Sequence, residues 1–215
     1  FVPGYLELSI KKGETVVFSA GTEVISSRRL KRLFEDEKEA RLERTDFISC
    51  LKTSAYQFYN KLSDGAYLLA GYPWFNYRAR DQFISLPGAT LYADDDKFFD
   101  EVMDKAVVAL REFMNNEPAT TRLTEVDSPD VLLWAVWAIQ QYAIKKGVDV
   151  AAEKYGQLVF DIVNYIRRQQ HPNLAVHDNG LLFTNGKERP ATWMNAVENG
   201  WPITPRTGYV VEINA

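Results

Sequence analysis

Trp74 and Phe75, with Arg80 and Asp81 just behind them, are the first group in this sequence with the types and spacing to do chemistry. They sit in Leu68-Leu69-Ala70-Gly71-Tyr72-Pro73-Trp74-Phe75, and Ile84-Ser85-Leu86-Pro87-Gly88 follows the charged pair. Such residues suit a sugar ring. Aromatic faces cover its C–H surfaces, while a guanidinium and a carboxylate form charge-assisted hydrogen bonds to vicinal hydroxyls. The same residues also fit a buried Trp and Phe beside a structural salt bridge, and residue types alone favour that plainer reading.

Asp130 is the candidate for proton transfer. In Asp127-Ser128-Pro129-Asp130 the serine fits a helix N-cap and the proline the first turn, which places Asp130 in that turn. An acid there stabilises the helix macrodipole by about 0.3–1 kcal/mol, and spacing alone favours this role. The functional alternative sets Asp130 at a pocket mouth, with Trp134 and Trp137 at i+4 and i+7, to protonate a glycosidic oxygen. A helix terminus favours the carboxylate, whereas a general acid must hold a proton; burial against indole rings works in the second direction.

The order of these residues adds to the types. The first stretch resembles the AGYPWF…RD…ISLPG signature of glycogen debranching enzymes, in their amylo-α-1,6-glucosidase module. Asp130-Val131-Leu132-Leu133-Trp134, continuing through Ile139-Gln140-Gln141-Tyr142, is similar to the family segment that carries the proposed general acid. Thr192-Trp193-Met194-Asn195-Ala196, Thr204-Pro205-Arg206 and Val211-Glu212-Ile213-Asn214-Ala215 resemble the family's TWMDA…TPR…VEINALW block. The blocks span most of residues 66–215 in family order.

The resemblance implies that Asp130 is the acid. Trp74, Arg80, Asp81 and Trp193 would hold the terminal glucose, with Phe75, Trp134, Arg206 and Glu212 as further substrate-binding residues. Arg206 and Glu212 equally suit a structural ion pair, and Trp193 and Trp201 suit core positions, Trp201 above all. Two departures stand out. Asn195 replaces the family's usual Asp, so no ionic role is carried to it, and Ala79 replaces the glycine usual before Arg80-Asp81.

The resemblance further implies an (α/α)6 barrel of the six-hairpin glycosidase type, of which this chain would supply the N-terminal half. Inverting hydrolysis needs two carboxylates roughly 6.5–9.5 Å apart. The second, which activates water, would lie in the other half, so the chain alone is expected to be inactive.

Other chemistries fit poorly. His171 and His177 have no Cys partner and no HExxH spacing, so no metal or cofactor is expected. Nucleophile-elbow and phosphate-cradling glycine motifs are absent. Asp94-Asp95-Asp96 reads as a helix cap and solvated turn.

A net charge of −4 without a basic tract argues against nucleic acid and is compatible with a neutral polymer such as glycogen or another α-glucan. No apolar stretch approaches the roughly 20 residues of a membrane span. The sequence opens on Phe1-Val2-Pro3-Gly4 without a signal peptide, which suggests a chain cut from a longer one, and the resemblance implies a cytoplasmic location. The lone Cys50 cannot form an internal disulfide and is expected to be buried in a helix.

These residues must be positioned by helices. Residues 1–27 read as the tail of an upstream β domain, with Leu6, Leu8 and Ile10 alternating and a turn at Lys12-Gly13. Residues 28–45 read as an exposed linker helix with mixed charges. Residues 46–215 form the third part. There, helices are expected from Thr45 or Asp46 to about Leu62, from near Arg80 to Leu91 with a bend or break at Pro87-Gly88, and from Asp96 to Met114. Two more run from Pro129 to Lys146 and from Val150 to Gln169, the former apolar around most of its circumference and so covered on nearly every side. Hairpins are expected at Asp178-Asn179-Gly180 and Asn185-Gly186, and a last helix near Val211.

The combined reading is an all-α partial (α/α)6 barrel from a glycoside hydrolase that removes α-1,6-linked glucose from glycogen or a related glucan. The alternatives are a glucoamylase- or trehalase-like glycosidase of the same architecture, a glucan-binding relative without turnover, and a purely structural helical domain.

Overall fold

The computed structural model describes residues 4–22, 24–72 and 75–215 and divides the chain into two compact units, residues 1–53 and 54–215. In the first unit the expected strands do not form: residues 4–22 contain no strand. A single two-stranded ribbon is marginal in water without further strands or a packing layer. The turn is as expected, with the Glu14 amide donating to the Lys11 carbonyl (3.0 Å) and Gly13 at φ +88°. Helix α1 (Ser27–Ala40) follows, and Ser26 caps it by accepting from the Arg29 amide. It has no buried residue and is laced by pairs such as Arg32–Asp36 and Arg41–Glu37, as its mixed charges suggested.

Helix α2 (Phe47–Tyr56) begins at a reciprocal cap: Asp46 accepts from the Ser49 amide (2.8 Å) and Ser49 Oγ accepts from the Asp46 amide (3.0 Å). Cys50 is exposed rather than buried, because no residue of α2 is buried. The helix also ends at Tyr56, not Leu62. Beyond it, strands β1 (Tyr59–Leu62) and β2 (Gly65–Leu68) pair antiparallel around Ser63-Asp64, with Gly65 at φ +147°. The Ser63-Asp64-Gly65 signal is therefore a hairpin turn. Tertiary contacts decide the matter: Tyr59 stacks on Phe98 and donates to the Ala89 carbonyl (2.6 Å), while Ala66, Tyr67 and Leu68 are buried.

Helix α3 (Ala79–Ala89) runs through Pro87 and is followed by a 3-10 turn at Leu91–Ala93. Proline has no N–H to give. The last turn is nonetheless tied by the Thr90 amide and hydroxyl, which both donate to the Leu86 carbonyl. Helix α4 (Asp96–Met114) has the expected bounds, with Asp95 accepting from the Phe98 amide (3.0 Å). Asp95 and Asp96 thus serve as cap and first-turn acid.

Helix α5 (Val131–Lys146) and helix α6 (Val148–Arg167) are separated only by Gly147, at φ +105°. α5 packs against both α3 and α6, and α4 covers β2. The core joins Phe83 and Leu86, Phe99 and Met103, Leu132 and Leu158. Coverage of α5 is less complete than its composition suggested. Val131, Leu132, Ala135, Ala138, Ile139 and Tyr142 are buried, whereas Leu133, Trp134, Val136 and Trp137 are half-buried.

Strands β3 (Leu174–Val176) and β4 (Leu182–Thr184) form the hairpin expected around Asp178-Asn179-Gly180. Asn185-Gly186 forms none. A side chain at Gly186 would collide with the Arg206 backbone, so this glycine serves a close approach of two chain segments. A hairpin not anticipated pairs β5 (Val197–Glu198) with β6 (Trp201–Pro202) across Asn199-Gly200, both at positive φ. The chain closes with α7 (Val211–Asn214). The architecture is mostly helical, and among the described residues no helix is long and apolar enough to cross a membrane.

Candidate functional site

Two segments distant in sequence are zipped together to make the site. The Thr124 amide donates to the Tyr77 carbonyl (2.8 Å), the Ala79 amide to the Thr124 carbonyl (3.0 Å), and Arg78 and Thr124 form a parallel bridge. Ala79 is fully buried at the start of α3, a position that needs no glycine freedom. The zipper sets Arg78 beside Glu125, whose Oε1 lies 3.2 Å from Arg78 Nε. Glu125 adopts φ +59°, a left-handed conformation that costs a non-glycine residue energy. The chain then turns: the Ser128 amide donates to the Glu125 carbonyl, and the Val131 amide to the Ser128 carbonyl.

This turn moves the start of α5. Asp130, not Ser128, stands at the N-cap, and its side chain does not cap the helix. Its carboxylate is taken by Arg80. Arg80 Nε donates to Oδ2 at 2.6 Å and Nη2 to Oδ1 at 2.8 Å, while the Trp134 indole Nε1 also donates to Oδ2 at 3.2 Å. Both partners are buried, Arg80 at 3% exposure and Asp130 at 1%. The arginine therefore pairs across the fold with Asp130 rather than with its neighbour Asp81. Its remaining nitrogen, Nη1, points toward Glu125, with Oε2 at 4.0 Å.

Arg80 also reaches a cavity of about 520 Å³. The cavity is lined by Phe75, Arg78, Glu125, Asp127, Ser128 and Pro129 from the zippered segments and by Asn173, Asn185, Arg189, Asn195 and Val197 from later in the chain. Three arginines face two carboxylates there, and each carboxylate has an arginine partner: Glu125 has Arg78, and Asp127 has Arg189 at 2.7 Å. The Arg78 guanidinium lies 5.1 Å over the Phe75 ring, a cation–π contact that braces the aromatic wall.

Of the residues expected to form a site, Phe75 and Arg80 line this cavity, and Asp130 and Trp134 are joined to it through Arg80. Trp134 also meets Trp137 edge to face at 5.5 Å. Asp81 is half-buried in the first turn of α3 and does not line the cavity. Trp74 lies outside the described residues. Trp193 is 58% exposed, and Trp201, expected in the core, is 63% exposed on β6.

Arg206 and Glu212 are found paired with each other, through Nε to Oε1 at 2.8 Å and Nη2 to Oε2 at 2.5 Å. The guanidinium, aided by the Thr192 hydroxyl, holds the Glu212 carboxyl below its ordinary value. Sequence reasoning missed Arg78, Glu125, Asp127 and Arg189. The signal was slight: Glu125 and Asp127 flank Val126 just before Ser128, and nothing local names their partners.

His171 is buried, edge-on to Phe113. Its Nδ1 accepts from the Asn173 amide at 3.1 Å, so the neutral ring carries its proton on Nε2. Burial pushes the imidazole down to about 4, against the opposing pull of Asp127. Among the described residues no group of three or more His, Cys, Asp or Glu side chains is arranged to hold a metal.

The family model described as Amylo-alpha-1,6-glucosidase matches residues 50–215, a span that contains the hairpin β1–β2, all the core helices and every residue of the cavity. Comparison with curated proteins found no match. Comparison with solved structures found none either. The chain belongs to the amylo-alpha-1,6-glucosidase family, glycosidase-type enzymes of glycogen debranching.

Proposed function

We propose that this chain supplies the acid side of an inverting glycoside hydrolase that removes α-1,6-linked glucose from glycogen or a related glucan. Residues 46–215 would be the N-terminal half of an (α/α)6 barrel. Asp130 donates a proton to the glycosidic oxygen as the C1–O bond breaks. Water attacks C1 from the opposite face, and its proton goes to a second carboxylate. By the family resemblance that base would lie beyond residue 215, and the activity is proposed for the full-length protein.

One observation carries this reading: the guanidinium of Arg80 touches both the buried Asp130 and an open cavity of a size to hold a sugar. Trp74, Phe75, Asp81, Trp134 and Trp193 would supply apolar faces and hydroxyl contacts around the terminal glucose, with Arg206 and Glu212 further out. The test compares glucose release by the full-length protein from a maltooligosaccharide bearing one α-1,6-glucosyl branch and from its linear α-1,4 counterpart. Release from the branched substrate alone supports debranching. Release from the linear one instead points to a glucoamylase-like enzyme.

A second reading, a glucan-binding relative without turnover, is favoured by one feature. Asp130 has both oxygens occupied, and the cavity presents Asn195 where the family commonly has an acid. It predicts glucan binding with no glucose released from either substrate.

A further inference from the structure

Asp130 in this arrangement cannot reach a sugar, since both oxygens are held by Arg80 and the residue is 1% exposed. Any donor role therefore requires Arg80 to let go. A buried guanidinium that leaves one carboxylate needs another, because an unpaired buried charge is costly. One is in place: Glu125 Oε2 lies 4.0 Å from Arg80 Nη1, on the cavity side. Glu125 is fixed there by the Arg78–Thr124 zipper and by its own left-handed backbone.

We propose that Glu125 is a positioning residue: when a glucan fills the cavity, Arg80 shifts its guanidinium from Asp130 to Glu125 and frees one Asp130 oxygen to take up a proton from water and face the glycosidic bond. This rests on the assignment of Asp130 as acid and adds the device that exposes it. Glu125 already shares its Oε1 with Arg78, so a small rotation of the Arg80 side chain suffices to make a two-arginine, one-carboxylate cluster. The cluster is positive overall, and a sugar hydroxyl can accept from the guanidinium hydrogens that Asp130 gives up.

The experiment uses the full-length protein and two substrates that differ in need of an acid. The α-1,6-branched maltooligosaccharide has an alkoxide leaving group that must be protonated; α-glucosyl fluoride expels fluoride without a proton donor. Glu125→Gln keeps size and removes the charge that Arg80 must move to. The expected result is a kcat loss of about tenfold or more on the branched substrate with KM nearly unchanged, general acid assistance being worth on the order of 10²–10⁴. The loss on the fluoride should be much smaller, and turnover of the fluoride also certifies that the variant is folded. Equal losses on both substrates would make Glu125 merely structural, and no loss on either would also overturn the proposal.

Asp130→Asn, run alongside, separates the two levels. If Asp130→Asn shows the selective loss and Glu125→Gln does not, only the exchange of arginine partners fails. If Asp130→Asn loses nothing on the branched substrate, the acid assignment fails and the exchange with it.

Discussion

Arg80–Asp130 and Arg206–Glu212 have the same forked geometry in opposite settings. Side-chain exposure is 4% and 2% in the first pair, against 32% and 18% in the second. The first joins residues 50 apart in sequence and holds α3 to the start of α5; the second joins residues 6 apart within one segment. An identical fork can therefore be a local brace in one place and the hinge of a core in another. Burial, not geometry, distinguishes them, since desolvation makes a lone buried charge expensive while solvent screens an exposed one.

The comparison breaks most sharply at Arg80. Replacing it with methionine strands Asp130 in the core and should cost about 3–5 kcal/mol, read as a lower urea midpoint. A loss under 1 kcal/mol would mean that Asp130 finds water or another partner, and the contrast between the pairs would collapse.

The buried His171 sharpens the point by a different route. With a folded value of about 4 against an ordinary 6.5, it stays neutral in the fold while the unfolded chain takes up a proton. Stability should accordingly be highest above pH 6.5 and fall as pH drops from there to about 4, by up to about 3 kcal/mol for this residue. His171→Phe keeps a ring in the site and should flatten that limb of the stability–pH curve. An unchanged limb would assign the pH dependence to other groups.

The smallest effect belongs to the half-buried pair Arg206–Glu212. Glu212→Gln should shift the urea midpoint by only a fraction of what Arg80→Met does. Because its carboxyl is held low, whatever the pair contributes is present above the ordinary glutamate range and is lost as pH falls through the lowered folded value. A shift matching that of Arg80→Met would show that α7 and its arginine are part of the core after all.

Which parts of this were legible follows the range of the interactions. Helix α4 could be read residue for residue, since its cap, Asp95, and its apolar period are local. The end of α2 could not, because Tyr59 leaves the helical path for a stack on Phe98 that the local pattern does not encode. The Asn199-Gly200 turn is a local signal of the same kind as Asn179-Gly180, and it carries Trp201 out to solvent. The site divides in the same way. Arg80, Asp130 and Trp134 stood out by type and order, but their union is long-range. Glu125 was invisible because its meaning comes from Arg78, delivered by a bridge between residues 78 and 124.

The most direct test of the account is glucose release by the full-length protein and its Asp130→Asn variant from the α-1,6-branched maltooligosaccharide. The account predicts that the folded variant loses on the order of 10²–10⁴ in rate. Equal rates in the two proteins would contradict it and leave Asp130 as the structural partner of Arg80.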